Sequence, residues 1–409
     1  MSQQGPILIV SHAGRPSFAR ALDDAQFFPL IDANFAESAD AVAKLQPAAV
    51  VAAMSKSLAP GFAALAQQVA ARKPYVPLIA VEPANPLPDN AMPLTRAEGQ
   101  PDRLVARLRA SLRVRSLHAT ALRRMSENEA QASLPDINPA RDATALLIGR
   151  GSSYPALSVA LGERMGVVGA LSIEAAASHL SSRDLDGIVL GEGFTPRVVD
   201  AFLTVLSEDA RFRNLPVVVT SLRLAHAYQL PNLESASGEP ADIARHALPL
   251  IRQQALEAQL GRSLRAIDAG GLLDAQTGLL TPTAFAADFA KAVAQTLSGG
   301  GGLSVARFAF DPRNPRAQLD GARIISRLMR RTDFGAVHSD GSVLVVFDDA
   351  DLRDAHAIAR RLASVIRQTM YGKRSARGDA AVSVASLLPS DTAKSLLSRL
   401  YDDGRRQAS

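Results

Sequence analysis

Arg330 and Asp333, three positions apart, have the side chains needed to hold a purine base. An arginine fork can donate paired hydrogen bonds to the O6 and N7 acceptors of guanine. An aspartate can accept from the ring N–H and the exocyclic amine on the opposite edge. Guanidinium planes also stack on bases, and their charge strengthens any bond made to phosphate. The spacing alone is weak evidence, because Arg-x-x-Asp begins six times, at Arg20, Arg183, Arg197, Arg265, Arg330 and Arg399. Most of these are expected to be solvated helical pairs at i, i+3. Five residues separate Asp333 from a polar tip, Ser339-Asp340-Gly341-Ser342-Val343. The runs on either side of that tip read as a strand–turn–strand.

Other chemistry is thin. There is no Cys, so neither a disulfide framework nor a thiolate metal site is expected. The seven histidines, His12, His118, His179, His226, His246, His338 and His356, are scattered, none in an H-x₃-H pair, so a metal is not expected either. The glycines 299–302 follow a helical stretch and precede a strand at 303–310, the reverse of a phosphate-cradling loop, and read as a connector. Arg107, Arg109, Arg113, Arg115, Arg123 and Arg124 stripe a long helix from about 101 to 129. They could form a basic partner-binding face, but a solvated surface is the expectation.

The elements that would position these residues fall into three blocks. Short apolar runs at 7–10, 48–53 and 76–81 alternate with helical stretches, and the order recurs with runs at 145–148, 187–190 and 215–220. Strands alternating with helices imply βαβ units and parallel sheets. The expected fold is therefore α/β: two flavodoxin-like, doubly wound domains at 1–125 and 142–265, then a third α/β domain at 269–409. Residues 126–141 (SENEAQASLPDINPAR) read as a linker.

Composition narrows the class. Apolar residues at 47% with 21% charged mark a globular chain, and 409 residues suffice for two or three domains. The net charge of +5 is too dispersed to mark a nucleic-acid face. No window approaches 18 uninterrupted apolar residues, so no membrane insertion is expected. The opening MSQQGPILIV lacks a basic n-region and points to a cytoplasmic protein.

Several motifs together resemble a GGDEF domain, the diguanylate cyclase fold. Asp274-Ala275-Gln276-Thr277-Gly278-Leu279 with Phe285 resembles the family's DxLTGLxNRRxF segment. The strand LSVARFAFD resembles its metal-bearing strand, with Ala309 at the metal position and Asp311 two residues on. The segments AVSVAS and LLSRLYDDGRRQ resemble its closing strand and helix. The tip 339–343 stands where the family carries GG[DE]EF. The resemblance implies a nucleotide-cyclase-like mixed sheet that has lost its tip, its metal ligand and its guanine contacts, and hence an inactive enzyme. It also implies that Arg330 and Asp333 are the Arg-x-x-Asp of the family's inhibitory cyclic di-GMP site. Counting onward without a gap brings Arg361 to that site's second arginine.

The first two blocks resemble response-regulator receiver domains. Ala53 and Gly191 stand at the phosphoacceptor positions, Ser11-His12 and Gly149-Arg150 replace the acidic pair, and Thr220 and Ser221 keep the hydroxyl position. Neither half is expected to accept a phosphoryl group. Receiver–receiver–GGDEF is the layout of PleD-like response regulators and their degenerate PopA-like relatives. That layout implies a cyclic di-GMP effector with no cofactor, working through a protein adaptor or regulator in cell-cycle control or regulated proteolysis. Homodimerisation through the receiver-like halves and recruitment to a cell pole are further implications. A ligand-independent scaffold and a residual diguanylate cyclase remain as alternatives.

Overall fold

Strands with no polar residue on either face need cover on both sides, and parallel sheets with flanking helices supply it. The computed structural model of the chain describes residues 5–408 apart from 13, 28, 55–59, 84–86, 96–100, 128–141, 221–227, 372–375 and 378. Its first elements are β1 (Ile7–Val10), α1 (Ala19–Asp24), β2 (Leu30–Ala33), α2 (Ser38–Leu45), β3 (Ala49–Ala53), α3 (Phe62–Ala70), β4 (Leu78–Val81), β5 (Ala91–Leu94) and α4 (Pro101–Glu127). The five strands form a parallel sheet in the order β2-β1-β3-β4-β5. That is the flavodoxin-like order. Leu8, Val10, Val50, Leu78, Phe62 and Leu65 fill the core on one face.

There follow β6 (Thr144–Ile148), α5 (Tyr154–Gly162), β7 (Gly166–Ala170), α6 (Ile173–Ser182), β8 (Gly187–Leu190), α7 (Pro196–Glu208), β9 (Val217–Val219), β10 (Leu233–Ser235) and α8 (Pro240–Asp268). β6, β8, β9 and β10 pair in parallel, in that order. This repeats β1-β3-β4-β5, as the recurring sequence pattern implies.

The last elements are α9 (Pro282–Gly299), β11 (Leu303–Phe310), α10 (Pro315–Leu328), β12 (Phe334–Val337), β13 (Val343–Asp348), α11 (Leu352–Arg367), β14 (Thr369–Tyr371), β15 (Ala376–Arg377), β16 (Ala380–Ser386) and α12 (Ala393–Ala408). Here the sheet is antiparallel, ordered β12-β13-β11-β16. The strict two-residue alternation of β11 and β13 gives it two apolar faces. Phe308, Phe310, Val345 and Phe347 meet Ile325 of α10 and Leu362 of α11 on one. Val305, Leu344 and Val346 meet Phe289 of α9 and Leu400 of α12 on the other. β14 leaves this sheet and pairs antiparallel with β7, Thr369 against Val168 and Met370 against Val167.

By contact, the chain forms two compact units. One holds residues 1–164, 170–173 and 186–260, the other 165–169, 174–185 and 261–409. Several elements differ from the sequence reading, which has no strand at β2, β5, β7 or β10. The helical stretch after β6 stops at Gly162 and gives way to β7. The proline-rich stretch 83–93 contributes to β5, where Pro93 is tolerated because an edge strand leaves its N–H side unpaired. Most of the 126–141 linker lies outside the described residues.

Candidate ligand-binding site

α10 delivers Arg330 to the surface. Its N-cap Asn314 accepts a 3.1 Å hydrogen bond from the Ala317 N–H, satisfying a donor the first turn leaves free. Its apolar face, with Ile324 and Ile325, is buried, and it ends two residues before Arg330. The turn that follows closes on itself. The Asp333 N–H donates to the Arg330 carbonyl at 3.1 Å, and the Arg330 N–H donates back to Asp333 Oδ2 at 3.2 Å. The Arg330 side chain is exposed, whereas Asp333 is 8% exposed. Asp333 Oδ1 is buried without a hydrogen bond of ordinary geometry. Burial pushes the Asp333 carboxyl above the usual carboxylate range, although the N–H groups of Arg330 and Asp348 and the Arg330 charge pull the other way.

The structure thus brings Arg330 and Asp333 together. Arg361 is exposed on α11, which shares a core with α10. α11 begins at Asp351, whose carboxylate caps the Asp354 N–H at 2.8 Å. The DAQTGL segment is structural. Asp274 Oδ1 accepts from the Thr277 N–H at 2.8 Å and its hydroxyl at 2.7 Å, Arg323 Nε donates to the Gln276 carbonyl at 3.0 Å, and the Leu280 N–H donates to Gly335 in β12. That turn ties the start of the module to both α10 and β12.

The tip 339–343 forms a closed electrostatic knot. Arg307 lies on the β11 face that looks toward α12, and its guanidinium stacks 4.6 Å from the Tyr401 ring centroid. It pairs with Asp340 at 2.7 Å and donates to the Ser342 hydroxyl at 3.2 Å. Asp340 Oδ1 also accepts from the Ser342 N–H and hydroxyl, at 3.0 and 2.6 Å. Partial burial opposes ionisation of Asp340, but the Ser342 and Arg307 hydrogen bonds outweigh it and hold the carboxyl well below the usual range. Gly341 has φ +78°, a left-handed turn position. Arg307→Ala is expected to raise the Asp340 titration midpoint toward ordinary carboxylate values, readable by carboxyl-carbon NMR. Solvent screening keeps the accompanying stability loss to about 1 kcal/mol or less.

The phosphoacceptor positions hold no acid. Ala53 ends β3, and the Gly191 N–H donates to the Ile148 carbonyl at 2.7 Å. Glu192 turns its side chain onto Gly151, and Arg150 lies over the Phe194 ring at 5.2 Å. Thr220 is buried at the end of its strand, and Ser221 lies outside the described residues. No group of three or more potential metal ligands occurs among the described residues.

Two arginines contradict the solvated-surface expectation. Arg107 of α4 is fully buried, with its guanidinium 2.7 Å from Glu234 Oε1 of β10 and bonded to the carbonyls of Pro93, Pro231 and Leu233. Arg103, at 3.2 Å, and Thr95 also contact Glu234. Arg183, counted among the solvated Arg-x-x-Asp pairs, is 1% exposed. Sequence offers no signal for either, since Arg107 and Glu234 are 127 residues apart. Of the other helix arginines, Arg115 is half-buried against the carbonyls of Pro74 and Tyr75, while Arg113 fits the surface reading, pairing with Glu257 at 2.6 Å.

No family model matches the chain, and no curated protein matches it. Several solved structures are similar to part of the chain. The coiled coil and GGDEF domain of DgcB from Caulobacter crescentus, in complex with c-di-GMP, is 18% identical over 36% of this chain and 87% of its own, with a TM-score of 0.29. The FimX GGDEF domain from Pseudomonas aeruginosa is 19% identical over 33% of this chain and 94% of its own, with a TM-score of 0.30. A sensory box/GGDEF family protein from Caulobacter crescentus is 20% identical over 33% of this chain and 96% of its own, with a TM-score of 0.28. Overlaps of this extent leave the functional reading to the chain's own residues.

Proposed function

We propose that the chain is a catalytically inactive GGDEF-type protein that binds cyclic di-GMP at Arg330, Asp333 and Arg361 and passes the binding event to a protein partner. The observation that carries this reading is the turn that closes Asp333 onto the backbone N–H of an exposed Arg330, at the predicted distance from the tip. The Arg307–Asp340 pair supports inactivity, because a protein guanidinium already neutralises the one carboxylate at the tip. Phosphoryl transfer needs a metal to stabilise developing charge, and Ala309 offers it no ligand. The two receiver-like halves act without phosphorylation, given Ala53 and Gly191.

Two assays test the reading. Saturating cyclic di-GMP should raise the unfolding midpoint by mass action, and the chain should form no cyclic di-GMP from GTP with Mg²⁺ or Mn²⁺. Absence of any shift defeats the receptor role, and product formation defeats the inactivity. Affinity should also depend on pH. The raised carboxyl of Asp333 must be ionised to accept from guanine, so Kd should increase as pH is lowered from neutrality toward that carboxyl's titration, at a higher pH than for an ordinary aspartate. A flat profile would show that Asp333 does not contact the base.

A further inference from the structure

α10 and α11 carry the candidate site. Arg330 follows α10 by two residues, and Arg361 lies one turn before Val365 on α11. A residue distant in sequence joins the two helices. Arg183, just past the end of α6, is 1% exposed. Its Nη1 lies 3.8 Å from Asp320 Oδ2 on α10, and its Nη2 donates to the Val365 carbonyl on α11. That carbonyl belongs to the last turn of α11, where it also accepts from the Gln368 N–H at 3.2 Å and where a cation is favoured by the helix dipole. The neighbouring Asp184 pairs with Arg327, three residues before Arg330. β7, which precedes α6, pairs with β14, which directly follows α11. Residues 165–169 and 174–185 therefore hold α10 at two points and α11 at its C-terminal end, all within one compact unit.

We infer that Arg183 is a positioning residue for the nucleotide site: its buried guanidinium bridges α10 and α11 and thereby sets the separation of Arg330 and Arg361. It touches no ligand itself. A forked guanidinium can serve the Asp320 carboxylate and the Val365 carbonyl together, whereas an ammonium is a single point of charge. The inference rests on the cyclic di-GMP reading, and its test separates the two.

The test compares the full chain with Arg183→Met, Arg183→Lys and Val189→Ala, the last loosening β8 in the other unit. Calorimetry should show cyclic di-GMP binding weakened at least about tenfold in Arg183→Met and partly recovered in Arg183→Lys, with Kd unchanged in Val189→Ala. Amide exchange without ligand should quicken over residues 326–333 and 358–367 in Arg183→Met only. An unchanged Kd in folded Arg183→Met overturns the proposal, as does equal weakening by Val189→Ala. If Arg183→Met does not fold, Asp320→Asn, which removes one arm of the bridge, is read in the same way. Should the unmodified chain bind no cyclic di-GMP, the functional reading falls and exchange decides the bridge. Faster exchange at both helices then supports it, and unaltered exchange refutes it.

Discussion

Glu234→Ala is expected to destabilise the unit that contains it by about 3–5 kcal/mol, the usual cost of removing one member of a buried ion pair. The side chains of Arg107 and Glu234 are both fully buried, so the variant leaves a guanidinium in the interior without its counter-charge. The carbonyls of Pro93, Pro231 and Leu233 still accept from Arg107, which solvates the cation but does not neutralise it. Replacing both partners by apolar residues of similar volume, Arg107→Met with Glu234→Leu, should recover most of the loss, because the unpaired charge and not the missing pair carries the penalty. Urea denaturation followed by far-UV circular dichroism distinguishes the cases. Comparable instability of single and double variants would show that the cluster matters for shape alone.

The same cluster fixes an acid limit. Burial opposes ionisation of Glu234, but Arg107 with His246, Arg103 and Thr95 outweighs it and draws the carboxyl down from 4.5 to about 2. His246 Nε2 lies 3.8 Å from Glu234 Oε2. A folded-state value below the unfolded one means stability that is full above about pH 4.5 and disappears as pH falls toward 2. The amount at stake is on the order of 3 kcal/mol. Glu234→Gln should flatten that part of the stability–pH curve.

Arg330→Ala carries the second large effect. A bidentate arginine–guanine contact is worth about 1–3 kcal/mol, so cyclic di-GMP binding should weaken by roughly ten- to a hundred-fold. Stability should barely change, because the side chain is exposed. Asp333→Asn keeps the shape of the turn and removes the charge. It should weaken binding while leaving stability unchanged or slightly higher, since burial already disfavours that carboxylate. The contrast between the two substitutions separates ligand contact from turn geometry. Loss of folding in Arg330→Ala would instead make it a structural residue.

Much of the fold was legible, for identifiable reasons. β1, β8 and β11 are apolar runs bounded by turn residues, and α7, starting at a proline, shows its apolar face at helical spacing. β2, β5, β7 and β10 are not read from the sequence. LIDA carries a charge, GVVGA follows a helix without a proline or polar break, and AMPL contains a proline that only an edge position explains. The sequence singles out Arg330 and Asp333 by their place before the tip, and the structure closes the two into a turn, which leaves their ligand role to the proposed titrations. The roles of Arg107 and Arg183 were not legible. Their partners lie far away in sequence, and nothing local separates a buried arginine from a solvated one.

The most direct measurement is a calorimetric titration of cyclic di-GMP into the full chain beside Arg330→Ala. Saturable heat with a micromolar or tighter Kd in the unmodified chain, weakened at least about tenfold by the substitution, is the predicted result. No heat in the unmodified chain, or equal affinity in both, would contradict the assignment of Arg330 and Asp333 as a ligand site.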